Sequence, residues 1–295
     1  MAMLVLHLRA ARRRAPAAAV AEALALLHDL EPSAPAGGPL SERGGVVWVE
    51  LASEHLAEAT ARLPRLGYTT AVDRLVPADG PPDLHWRRRP WRLLRLYTED
   101  AEGHRERAPD RREFLFEAGG GPPRPVRGYR GGGGPLTRRG LPVCDSRLLV
   151  NLVAPAGPGR LLDPFAGVGG IALEAEAAGW TTITADLDPG LRHGLGRIGA
   201  AHLVADARAL PLRAGSLDAA ATEPPYDREA GPLADQALAE LHRLLRPGGA
   251  AAVLCAAWQA AGLRATAAGL GWRVTLDCPV DRKGTEVVAL AWRRP

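Results

Sequence analysis

The chain predicts an α/β protein: a doubly wound, Rossmann-like domain with a terminal antiparallel strand, preceded by a small ferredoxin-like α/β domain. Three observations lead there. Across residues 141–295, short apolar β-type runs alternate with leucine- and alanine-rich helical runs, the pattern of a mostly parallel sheet covered by helices. The last two apolar runs are joined by only a short turn, which makes one of them antiparallel. The first 78 residues show β-α-β-α-β order on a smaller scale, which suits a ferredoxin-like module.

In chain order, residues 3–8 form the first strand and 15–30 an amphipathic helix. A Pro/Gly/Ser loop over 31–45 leads to a second strand at 46–51. Ser53 is placed to cap a helix running to about Leu66, and Gly67 to close it. Residues 69–75 are the third strand. The segment 79–140 differs in character. It has two short strand runs, 93–97 and 113–117, a highly charged stretch between them, and glycine runs at 119–121 and 131–134. From Arg87 to Arg139 it holds fourteen arginines against seven acids, with Trp91 and Tyr129 among them and Trp86 just before. Basic groups interleaved with aromatics suit a phosphate backbone and unstacked bases. The alternative is a solvated arginine-rich linker.

Residues 141–295 open with a helix at 146–153. Strands follow at 161–163, 181–185, 201–205, 217–222 and 250–256, and then a hairpin of 272–276 and 285–292. Helices fall at about 169–178, after Pro189, at 232–245 and at 259–269. The sequence therefore divides into a module at 1–78, an Arg/Gly-rich linker or RNA-contacting segment at 79–140, and the larger domain at 141–295.

Composition narrows the function classes. The 295 residues suffice for two domains. No run of about 18 apolar residues predicts a membrane span, and the first residues lack the basic start of a signal peptide. Cys144, Cys255 and Cys278 are far apart and odd in number, which argues for a reducing cytoplasm and against a disulfide framework. The eight histidines form no metal-ligand spacing, so no metal is expected. The formal net charge is +4 and Lys283 is the sole lysine. Arginine richness alone is therefore compositional bias, and its clustering carries more weight.

Four acids, Asp163, Asp186, Asp206 and Glu223, fall at or just past the ends of apolar strands. In an open α/β sheet that register lines a ligand crevice. The turn after the first of these strands reads D-P-F-A-G-V-G, with Gly167 and Gly169 allowing close approach of a ligand. It is neither a P-loop nor a G-x-G-x-x-G fingerprint. An acid in that turn repels a pyrophosphate and suits a cationic ligand bearing an ammonium and a sulfonium. Asp186 is placed to accept ribose hydroxyls, and Asp206 to accept an adenine amine. These are the features of S-adenosylmethionine.

The D-P-F-x-G-x-G turn, followed at matching spacing by Glu223-Pro224-Pro225-Tyr226, resembles class I S-adenosylmethionine-dependent methyltransferases that modify exocyclic amines. The likeness is greatest to the tRNA guanosine-N2 methyltransferase family. The run 146–152, S-R-L-L-V-N-L, is similar to that family's helix before the first strand. The stretch L-G-Y-T-T at 66–70 looks like its ferredoxin-like domain.

The resemblance implies a Rossmann-like methyltransferase domain in which Asp163, Phe165, Gly167, Gly169, Asp186, Leu187, Asp206 and Ala207 hold S-adenosylmethionine. Glu223, Pro224 and Tyr226 would hold a base drawn out of its stack. Arg127, Arg130, Arg138 and Arg139 would contact the RNA, expected to be tRNA. The chain departs from the pattern with Glu223 in place of Asp or Asn, with Asp227 where glycine is common, and without an evident complete THUMP domain. The alternatives are an rRNA or DNA amino-methyltransferase, or a non-catalytic protein that binds S-adenosylmethionine or RNA.

Overall fold

In the computed structural model, residues 1–34, 45–77, 91–99, 113–116, 124–127, 140–228, 232–282 and 285–295 are described. The N-terminal unit consists of β1 (Ala2–Leu8), α1 (Pro16–Leu26), β2 (Val46–Leu51), α2 (Leu56–Arg62), β3 (Thr69–Pro77) and β4 (Trp91–Thr98). Its strands form an antiparallel sheet in the order β2-β1-β3-β4. The unit β2-α2-β3, with β1 lying between the two strands, is a split βαβ as in ferredoxin-like modules. The helix α1, in contrast, joins neighbouring strands.

Three details differ from the sequence expectation. β4 lies beyond residue 78 yet pairs with β3, because Leu93 and Leu94 continue the antiparallel ladder. Ser53 makes no capping hydrogen bond, because α2 is entered through a short 3-10 turn, Ser53–His55. Gly67 is not left-handed. It is required because a Cβ there would stand 2.1 Å from the Cys144 carbonyl oxygen.

After a two-stranded β5 (Glu113–Phe116) and β6 (Arg124–Arg127), the chain enters α3 (Val143–Leu152). There follow β7 (Arg160–Asp163), α4 (Gly170–Ala177), β8 (Thr181–Asp186), α5 (Arg192–Leu195), β9 (Ala201–Val204) and β10 (Leu217–Thr222). The last elements are α6 (Leu233–Leu244), β11 (Leu245–Ala256), α7 (Ala260–Gly269), β12 (Arg273–Arg282) and β13 (Thr285–Arg293). These seven strands form one sheet in the order β12-β13-β11-β10-β7-β8-β9. β7 to β11 are parallel, and β13 runs antiparallel to both of its neighbours, as the closing hairpin predicts.

Strands β7, β10 and β11 bury leucine, alanine and valine on both faces, as a sheet covered on both sides requires. Strand order reverses between β7 and β10, so the crevice opens over their carboxyl ends. One apolar core runs from Leu4 and Val49 of the first sheet through Leu148 and Leu149 of α3 to Leu161 and Ala291 of the second. Helix α3 is buried almost throughout, because it lies between the two units. Its Asn151 donates to Glu22 Oε1 at 2.9 Å, and the same carboxylate accepts from the Gly67 and Tyr68 amides. Among the described residues no helix is long and apolar enough to cross a membrane.

Gly67→Ala is expected to lower the unfolding free energy by about 1–3 kcal/mol, since backbone rather than a movable side chain opposes the new methyl. Gly179 has nothing within 4 Å of an added Cβ. Gly179→Ala carries only the strain of its left-handed backbone, φ 86°, and serves as the comparison in a denaturant titration.

Candidate active site

The end of β7 is tied to the end of β10. Asp163 is 1% exposed, and its Oδ1 accepts from the Thr222 hydroxyl at 2.8 Å and the Phe165 amide at 3.2 Å. Asp163 therefore forms the floor of the glycine turn. Burial pushes its carboxyl up to about 7, against the two donors that favour its charge. Above it, Gly167 (φ 51°) and Gly169 (φ 81°) take left-handed backbone, and α4 starts immediately after. Phe165, Thr222 and Pro224 line one apolar pocket with Leu238, Leu241 and Val253.

The end of β8 closes onto the same turn. Asp186 Oδ2 accepts from the Gly167 amide at 2.8 Å, and Oδ1 accepts from the Asp188 amide at 2.9 Å. Each oxygen keeps a lone pair for a further donor. Leu187 beside it is 70% exposed, an apolar side chain held in solvent at a strand end. Asp206, past β9, is gripped by Arg208 through contacts of 2.6 and 3.0 Å, and those bonds lower its pKa. An adenine amine at Asp206 would thus require Arg208 to turn away, which is a small cost for an exposed pair. Ala207 is buried beneath it.

The second segment follows β10. Pro224 is buried, Pro225 exposed, and Glu223 and Tyr226 are partly buried. Gln259, just before α7, donates to the Pro225 carbonyl at 2.9 Å and accepts from the Ala256 amide at 3.0 Å. It thereby pins the proline turn to the end of β11. The Tyr226 hydroxyl donates to Glu223 Oε1 at 2.5 Å, and Arg282 Nη1 donates to the same oxygen. Burial raises the Glu223 carboxyl, with Arg282 and Tyr226 opposing it. Burial and the adjacent Glu223 charge raise the Tyr226 phenol.

Sequence reasoning missed Arg282, Gln259 and the groups behind them. Arg282 also lies 3.7 Å from Asp145 at the start of α3. Arg12 of the N-terminal unit grips Asp145 through two bonds of 2.6 and 2.9 Å, and the Tyr68 hydroxyl donates to it at 3.0 Å. Of the expected RNA contacts, Arg127 lies in β6, while Arg130, Arg138 and Arg139 lie outside the described residues. Among the described residues no cluster of His, Cys, Asp or Glu is arranged to hold a metal ion.

Residues 162–253 match the family model described as a methyltransferase domain. These residues contain the glycine turn, Asp186, Asp206 and the proline turn. Residues 162–253 thus carry a methyltransferase domain that resembles the class I S-adenosylmethionine-dependent enzymes. It resembles the tRNA guanosine-N2 methyltransferases. Over 88 residues it is 39% identical to the tRNA (guanine(10)-N2)-dimethyltransferase of Methanothermobacter thermautotrophicus, covering 28% of this chain and 26% of that protein. The chain thus matches about a quarter of that relative's length. The crystal structure of TrmN from Thermus thermophilus aligns over 100% of both chains with a TM-score of 0.52 and 19% identity, a likeness of fold.

The residues present fit S-adenosylmethionine. The two left-handed glycines leave the turn open to close approach, Asp186 has acceptor capacity beside them, and Leu187 offers an exposed apolar contact. The buried Asp163 carboxyl would, when ionised, supply negative charge toward a cationic ligand.

A cation bound over Asp163 favours its ionised form. S-adenosylmethionine affinity is therefore expected to rise with pH up to about 7 and to level off above it, with protons released on binding over the same rising range. Calorimetry between pH 6 and 8 in two buffers of different ionisation heat measures both effects. Asp163→Asn should flatten the dependence.

Proposed function

We propose that this protein is an RNA methyltransferase that transfers the methyl group of S-adenosylmethionine to an exocyclic amine, N2 of guanosine in tRNA. The observation that carries this reading is the juxtaposition at the strand-order reversal. There the Glu223-Pro224-Pro225-Tyr226 turn stands beside the Asp163–Gly169 turn, the two tied together by Thr222 and Asp163. The partial likeness to a tRNA guanine-N2 dimethyltransferase supports the choice of base and RNA. A cytoplasmic setting accords with three free, buried cysteines.

A guanine N2 amine is a weak nucleophile because its lone pair is delocalised into the ring. S-adenosylmethionine, when bound, supplies an electrophilic methyl group on a sulfonium. Glu223 accepts one amine hydrogen, and the carbonyl of the proline turn accepts the other. This draws the nitrogen lone pair out of conjugation and fixes its direction. Gln259 keeps the turn from shifting. The buried Pro224 and the half-buried Phe165 exclude water on the pocket side. Tyr226 braces Glu223 and presents its ring to the base. Transfer then depends mainly on placement and on charge that is already in position. The arginine-rich segment 79–140 is assigned to the RNA backbone.

Glu223→Ala should reduce methyl transfer to tRNA by about 10²-fold or more while leaving S-adenosylmethionine affinity near that of the wild type. Nucleoside mass spectrometry of tRNA from a deletion strain should show loss of N2-methylguanosine. An unchanged level would count against tRNA as the substrate, and full transfer by Glu223→Ala would remove the role given to Glu223.

A further inference from the structure

Glu223 ends a chain of alternating charge that is buried at Arg12 and Asp145 and half-buried at Arg282 and Glu223. Arg12 holds Asp145, Asp145 faces Arg282, and Arg282 donates to Glu223. The path starts in the N-terminal unit, passes through α3 and β12, and finishes at the end of β10. None of the first three members lies in the glycine turn or the proline turn. Both hydrogen bonds to Glu223, from Tyr226 and from Arg282, fall on Oε1. Among the described residues no bond falls on Oε2.

Building on the function proposed above, we infer that Arg282 is a positioning residue that keeps Glu223 an ionised acceptor with Oε2 directed to the substrate amine. Arg282 is itself faced by Asp145, which Arg12 grips. The inference accounts for a glutamate where one methylene less is usual. The extra torsion would let a glutamate carboxylate wander, and two donors converging on one oxygen remove that freedom.

The charge argument runs the same way. Glu223 is faced by Tyr226 from its own turn, Arg282 from β12, Asp145 with Cys144 beside it from α3, and Asp163 from β7. Behind Asp145 stand Arg12 and Tyr68 of the N-terminal unit. Arg282 is the cation in direct contact with Glu223. Without it, three carboxyls would share one poorly solvated edge, and protonation of Glu223 would relieve their repulsion. A protonated Glu223 loses its charge and part of its acceptor strength.

The test is a carboxyl titration of the full chain, without RNA or cofactor. Glutamate side-chain carboxyls are labelled with ¹³C, and the Glu223 signal is assigned by its loss in Glu223→Gln. In Arg282→Gln the Glu223 midpoint should move up by about one to three pH units. The acidic limb of the methyl-transfer rate should move with it, and S-adenosylmethionine affinity should hold. Arg282→Lys keeps a charge opposite the buried Asp145 and serves if the glutamine variant does not fold. Its midpoint should move by less, with kcat lowered more than KM. A Glu223 midpoint unchanged in the glutamine variant, or a lysine variant with both midpoint and kcat of the wild type, overturns the inference. A wild-type protein that methylates no RNA would count against the function instead, and the titration would still decide the part played by Arg282.

Discussion

The structure depends on one buried carboxylate, Asp145, at the start of α3. It is fully buried, and an isolated charge there would cost several kcal/mol. Arg12 offsets that cost with a bidentate grip, Tyr68 adds a hydroxyl, and Arg282 adds charge from the far side. Burial alone would lower the Arg12 pKa, but Asp145 outweighs it and raises the net value. Arg12 and Tyr68 belong to the N-terminal unit and Arg282 to the methyltransferase sheet. Satisfying Asp145 thus fixes how the two units meet. The rest of α3 follows the same logic. Its apolar side chains join the shared core, and Asn151 and Arg147 bond to Glu22 and Glu174. Gly67 lets the N-terminal backbone come close enough for these contacts to form.

From that junction the site is assembled by sheet geometry. The reversal of strand order brings the ends of β7 and β10 together, and Asp163 and Thr222 bond across it. The β8 end joins through Asp186, which holds the Gly167 amide. The proline turn is fixed on one side by Gln259 and on the other by Arg282. The glycine turn and the proline turn are therefore each anchored by groups on other strands or helices. This is how a site keeps its geometry without depending on a single loop.

Much of this was legible in the sequence. Period and length placed the strands of the larger sheet, and the closing hairpin gave its antiparallel strand. The four strand-end acids fell along one edge, as their register implied. What the sequence concealed was long-range partnership. Arg282 was missed because the strand was read only to residue 276. Yet the alternation continues: Leu276, Cys278 and Val280 are buried, while Asp277, Pro279 and Asp281 are exposed. Pro279 obscured that period, although an edge strand tolerates proline. Arg12 was lost among an arginine-biased run, and nothing local marks Asp145 as buried. Ser53 failed as a cap because a 3-10 turn intervened, and β4 fell past the expected boundary because strand pairing ignores composition. Asp206 was placed correctly at its strand end, but its neighbour Arg208, two residues on, was not read as its partner.

The central claim is that the N-terminal unit holds the Glu223 edge in place through Arg12, Asp145 and Arg282. Hydrogen–deuterium exchange of an Arg12→Met variant tests it most directly. Faster exchange is expected at the start of α3, at the end of β12 and at the turn 223–227, none of which Arg12 adjoins in sequence. Exchange changes confined to β1 and α1, with the turn at 223–227 protected as in the wild type, would contradict it.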